Sequence, residues 1–197
     1  MNNAYVLTTY HSKLTTALNN HKENTKFIYT TMSLFDNPEY KWRETYFVYY
    51  SRETVPQFEK ALGSVRKRIP GVSEIDVTRN DSGELQAVSL LFPTGASGVD
   101  LILTSPTDDS SPIEEANNML DEIPDKRTRN ILKRSDSRVD ILHFEKTTEK
   151  NHTFDLFGSE DDDLLEEFDP SGLLMLIDQL VKTSHGVAID PQTGITL

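Results

Sequence analysis

Trp42-Arg43-Glu44-Thr45-Tyr46-Phe47-Val48-Tyr49-Tyr50 is the stretch whose reading decides the fold. Aromatic and β-branched residues favour extended backbone. Neighbouring side chains of an extended chain point to opposite faces. Residues 45–50 are apolar on both faces, which predicts a central strand. Just downstream, Thr54 suits an N-cap, with Pro56 in the first turn. Val55, Phe58, Ala61, Leu62, Val65 and Ile69 then recur at helical spacing, and Pro70-Gly71 ends the helix.

Working outward, Ile75 to Thr78 alternates as a strand. Asn80-Asp81-Ser82-Gly83 is a hairpin turn, and Leu85 to Phe92 returns. Val99 to Thr104 adds a strand after a Gly-containing connector. Ser111-Pro112 opens a helix with Glu114 and Glu115 in its first turn, where carboxylates suit the helix dipole. Pro124 interrupts it, and a short helix is expected from Asp125 to Lys133. Val139 to Phe144 and Phe154 to Phe157 read as strands. Leu173 to Val181 is apolar nearly all round, which predicts a buried helix ended by His185-Gly186. Val187 to Asp190 and Ile195 to Leu197 read as closing strands. Before the decisive stretch, Tyr5 to Thr9 and Phe27 to Leu34 suit strands and His11 to Asn20 a helix.

The expected fold is α+β, mainly antiparallel sheet with helices packed on one side. The βαββ order suits a ferredoxin-like unit. A similar order in 42–104 and 138–197 suggests two related halves joined by a helical linker, 111–135. Ile75-Asp76…Gly83-Glu84-Leu85 echoes Ile189-Asp190…Gly194-Ile195. Residues 1–41 would form an N-terminal strand/helix extension to a 42–197 core.

Composition narrows the function classes. With no cysteine, disulfides, thiolate metal sites and thiol catalysis are excluded. The longest apolar run, Leu173–Ile177, is far below the roughly 20 residues that span a bilayer. Met1-Asn2-Asn3-Ala4-Tyr5 carries no secretory pattern, so a cytoplasmic location is expected. The net charge of −12 makes nucleic acid a poor partner. That charge is regional. Residues 139–197 hold thirteen acids against three lysines, which is −10 of the total.

Three constellations stand out. The first is Glu160-Asp161-Asp162-Asp163-Leu164-Leu165-Glu166-Glu167-Phe168-Asp169. Leu164, Leu165 and Phe168 would form one apolar face framed by Asp161, Asp162 and Asp163, suited to docking on a basic partner. The spacing is not that of a calcium loop, so no metal is expected there. The second is Lys126, Arg127, Arg129, Lys133, Arg134 and Arg138, of which Arg127, Arg129, Lys133 and Arg134 suit an anionic ligand. The same cations suit the acidic run of a second copy, which would give a homodimer. The third is Tyr46 and Tyr50, a self-association surface if their shared face is uncovered.

No nucleophile elbow, phosphate loop or His-Glu-x-x-His pattern is present, so no catalytic residue or cofactor is assigned. His143 and Glu145 share one face of a strand, and Asp76, Asp100 and Asp140 lie in strands. The expected function is a non-enzymatic interaction or regulatory module that binds another protein or itself. The alternatives are a small anionic-ligand binder and a hydrolase with a dispersed site.

Overall fold

In the computed structural model, which describes residues 33–52, 58–93, 96–104, 112–121, 123–147 and 170–197, the aromatic stretch is strand β1, Tyr40–Tyr50. Helix α1 (Phe58–Arg68) follows, then β2 (Ser73–Arg79), β3 (Leu85–Leu91) and β4 (Ser97–Thr104). Helices α2 (Pro112–Met119) and α3 (Lys126–Leu132) lead to β5 (Ser137–Lys146). Helix α4 (Ser171–Ser184) leads to β6 (Val187–Ile189). The six strands form one sheet in the order β2-β3-β4-β5-β1-β6, with every neighbouring pair antiparallel. The fold is α+β.

β1 is an interior strand, as its two apolar faces require. It pairs with β5 on one side and β6 on the other. Antiparallel alternation makes β1 and β2 parallel, with β5, β4 and β3 between them. The four-stranded ferredoxin-like order, with a single strand in that gap, therefore does not form. The segments 42–104 and 138–197 share this one sheet and interleave, because β1 lies between β5 and β6. Residues 33–41 also join it: Leu34 is fully buried in a short 3-10 turn, Leu34–Asp36. The strands expected at 5–9, 27–32 and 154–157 and the helix at 11–20 lie outside the described residues.

Both sheet faces are covered, and this refines the expectation of helices on one side. On the first face, Val48, Tyr50, Val88, Leu90, Val99, Leu101, Val139 and Ile141 pack against Ala61, Leu62 and Val65 of α1 and Leu173, Leu176, Ile177 and Leu180 of α4. The second face carries Phe47, Tyr49, Leu142, Phe144 and Ile189, all buried, and α2, α3 and the 3-10 turn cover it. An apolar face must be buried against another element, so two apolar faces require two layers.

Tyr46 and Tyr50 do share a face, but it is the helix-covered first face. Tyr50 is 6% exposed and Tyr46 packs against the core there. Burial, with Asp136 adding to it, pushes the Tyr50 phenol up to about 12. The expected tyrosine self-association surface is thus withdrawn. At the other end of α4 it is His185, with φ 52, that takes the left-handed cap position. Gly186 follows because a Cβ there would collide with the Tyr49 carbonyl oxygen. The expected strand 195–197 contributes a single bridge, Thr196 to Ile189.

Candidate functional site

Helix α3 concentrates the basic residues. Asp125 caps it, its carboxylate accepting from the Thr128 amide at 2.7 Å. That bond and the Thr128 hydroxyl hold the Asp125 carboxyl below the usual carboxylate range. Thr128 and Leu132, four residues apart, turn inward and are buried. Lys126, Arg127, Lys133 and Arg134 are exposed on the outer side, and Arg129 is half-buried. Arg134 Nε donates to the Asn130 carbonyl oxygen at 3.1 Å. Among the described residues none of these five cations forms a salt bridge. The result is a positively charged cluster on the outer side of α3 and the two residues that follow it.

Arg138, expected in that cluster, is withdrawn from it. At 1% exposure it lies under α2, on the second sheet face. It grips Asp140 in a forked pair, with Nη2 to Oδ2 at 3.1 Å and Nε to Oδ1, while Nη1 takes the Glu115 carboxylate from α2. Its guanidinium lies 4.0 Å from the centre of the Phe47 ring. Spacing of two along β5 puts Arg138 and Asp140 side by side, and a planar fork matches a carboxylate. Asp140 is itself 1% exposed. The cluster fastens α2 to the sheet.

Asp100 is a second buried carboxylate on the same face. It accepts from Ser89 Oγ at 2.5 Å, Ser33 Oγ at 2.7 Å and the Leu34 amide at 3.3 Å. No cation pairs with it among the described residues. Burial therefore pushes its pKa up against the opposing hydrogen bonds. Asp100 ties the chain ahead of β1 to β3 and β4.

His143, Glu44 and Tyr46 form the third cluster. The register shift between Trp42 and Glu44 brings Glu44 opposite His143. Glu44 Oε1 lies 3.3 Å from His143 Nδ1, and Glu44 Oε2 accepts from the Tyr46 hydroxyl at 2.9 Å. Burial lowers the His143 pKa, Glu44 and Glu145 oppose that shift, and Arg43 adds to it. Arg43 in turn pairs with Glu145 at 2.6 Å. A histidine with a lowered folded pKa stabilises the fold above its unfolded value of about 6.5, and that contribution is lost as pH falls. Between pH 7.5 and 5, the wild type should lose stability relative to His143→Gln, by at most about 1.4 kcal/mol per pH unit. Urea midpoints of both proteins across that range test this; parallel profiles would refute a buried neutral imidazole.

Two of the clusters join separate elements: Arg138 links α2 to β5, and Asp100 links the Leu34 turn to β3 and β4. Asp76, half-buried on β2, stands opposite Ser89 and not beside Asp140. His185 is exposed at its helix end. Asp161, Asp162, Asp163, Leu164, Leu165 and Phe168, the expected docking run, lie outside the described residues, as do His11, His21 and His152. Among the described residues no three His, Asp or Glu side chains gather to hold a metal ion. No helix among them is long and apolar enough to cross a membrane. Sequence reading missed Glu44 and Glu115 as partners, because both bonds join elements far apart in the chain. Alternation along β5 did carry the Arg138–Asp140 signal.

Compared with known proteins, the chain matches no family model, no curated protein and no solved structure.

Proposed function

We propose that this chain is a non-enzymatic, cytoplasmic interaction or regulatory module that engages an acidic polypeptide through the outer face of α3. One observation carries the reading. Lys126, Arg127 and Arg129 on α3, with Lys133 and Arg134 directly after it, form one basic cluster with no ion pair among the described residues, in a chain of net charge −12. Cations left unpaired in an acidic protein are available to an external anion.

Exposure of the patch separates this from the alternatives. A small anion is held best where donors converge in an enclosed site, and Lys126, Arg127, Lys133 and Arg134 are exposed. A polyphosphate would meet a strongly negative molecule beyond the patch. For the hydrolase reading, His143 is the histidine with a carboxylate partner among the described residues, and at 0% exposure it is closed to substrate.

The test is fluorescence anisotropy with a labelled oligo-glutamate peptide. Binding should weaken with salt. It should fall about tenfold or more in Arg127→Glu/Arg129→Glu/Lys133→Glu, since each exposed pair contributes up to about 1 kcal/mol and about 1.4 kcal/mol is tenfold. Absence of binding by the wild type, or equal binding by the variant, would end the proposal. Competition by inorganic phosphate at equal charge would favour the small-anion reading instead.

A further inference from the structure

We infer that the acidic partner of α3 binds as an added strand, with acidic and apolar residues in alternation, along the sheet edge formed by residues 195–197. The inference rests on the proposed α3 interaction surface and gives its partner a conformation and a side-chain pattern.

The edge has backbone groups aimed outward. Thr196 bridges to Ile189 of β6 in the antiparallel sense. The Ile195 carbonyl oxygen accepts from the Asp190 amide at 2.9 Å, and the Leu197 amide donates to the Ala188 carbonyl oxygen at 3.1 Å. In an antiparallel ladder the residue between two such bonds turns its own amide and carbonyl to the other side. Thr196 therefore offers both groups away from β6. Among the described residues no strand takes them.

The two faces at this edge differ in chemistry. Thr196 shares the second sheet face with Ile189, so Ile195 and Leu197 project from the first. They are 60% and 54% exposed, the most exposed large apolar side chains among the described residues. On the second face, α3 packs over β1 and β6. Its inward residues are Thr128 and Leu132. Helical spacing then sets Lys126, Arg129 and Lys133 on one flank and Arg127 on the other. Both flanks carry cations, so the side of α3 that overlooks the edge is positive.

A strand laid against Thr196 meets this pattern position by position. The residue opposite Thr196 exchanges both backbone bonds with it and points its side chain to the α3 side, where an acid pairs with cations. The residues before and after it point to the first face, where apolar groups cover Ile195 and Leu197. Main-chain bonds combined with alternate side-chain contacts are how extended peptides join a sheet edge. A second copy pairing through the same edge lacks the acid. Thr196 would face Thr196, and two basic clusters would share one side of the joined sheet.

Fluorescence anisotropy on the full chain tests this with two labelled peptides of equal composition. One alternates Val and Glu, and the other carries the same residues in two blocks. The alternating peptide should bind about tenfold more tightly, a difference of about 1.4 kcal/mol, which a pair of strand hydrogen bonds supplies. Ile195→Ser with Leu197→Ser, both at exposed positions, should remove that preference and leave oligo-glutamate binding unchanged. N-methylation of every glutamate amide should abolish the preference, because those amides face Thr196. N-methylation of every valine amide should spare it. Equal binding of the alternating and block peptides, or equal effects of the two methylations, would overturn the inference. If oligo-glutamate still binds in that case, the α3 surface stands and only strand addition falls. If no peptide binds, both fall.

Discussion

Arg138→Ala is expected to lower the free energy of unfolding by about 3–5 kcal/mol, read from urea denaturation at neutral pH as a shifted midpoint with unchanged slope. The substitution leaves Asp140 at 1% exposure with neither of its forked bonds. It also strips the guanidinium from the Phe47 ring and releases Glu115. The loss is mostly the expense of an uncompensated buried charge, not the net worth of the pair. A paired control makes that distinction. Arg138→Met combined with Asp140→Leu removes both charges and keeps the volume, and should recover most of the loss. Glu115→Gln should cost far less, since the Glu115 side chain is 41% exposed and water screens it. A loss below about 1 kcal/mol for Arg138→Ala would mean that Asp140 reaches solvent, and the anchoring role would be wrong.

Asp100→Ala should rank second, at about 2–4 kcal/mol. It removes the acceptor for Ser33, Ser89 and the Leu34 amide together, and each buried donor left unsatisfied costs about 1–3 kcal/mol, with solvent entry and relaxation reducing the sum. Asp100→Asn keeps an acceptor at the site and should lose less. The pH dependence of this second variant is the sharper measurement. Burial raises the folded pKa of Asp100 above its unfolded value of about 3.9. A group shifted in that direction contributes stability below its unfolded pKa, and the contribution is lost as pH rises through the folded pKa. The stability of the wild type relative to Asp100→Asn should therefore grow as pH falls from 7 to 4. That is opposite in sign to the His143 effect. A difference that shrinks on acidification would mean that Asp100 is held ionised, with its serine donors outweighing burial.

The elements were legible in the sequence because each obeys one local rule. Period-two alternation gave β2, β3 and β5, and helical spacing with Pro70-Gly71 gave α1 and its end. Unbroken apolarity at 45–50 and 173–181 gave the interior strand and the buried helix. Sheet order was not legible, since no local pattern states that β1 sits between β5 and β6. The second layer was missed for a related reason. Asp100, Asp140 and Arg138 look like solvent-facing residues when alternation alone is considered. Only the pairing of Arg138 with Asp140 and Glu115, and of Asp100 with two serines, makes their burial tolerable. The clustering of exposed cations on and just after α3 was legible from charge spacing on a short helix. His143 with Glu44 was not, because it depends on the register shift at Trp42 and Glu44.

The interior position of β1 has a consequence for how the chain is made. Synthesis runs from the N-terminus, and β1 emerges first among the described strands. Its partners come much later: β5 begins at Ser137 and β6 at Val187. β2, β3 and β4 pair through short connections and are complete before either partner has been translated. Until about residue 141 has left the ribosome, Tyr46, Phe47, Val48, Tyr49 and Tyr50 have no partner strand among the described residues. Such long-range closure is slow and exposes sticky surface while it waits. The nascent chain thus passes through a long window in which its aromatic strand end, Tyr46–Tyr50, needs shielding, and a chaperone that recognises extended aromatic segments would find its substrate there.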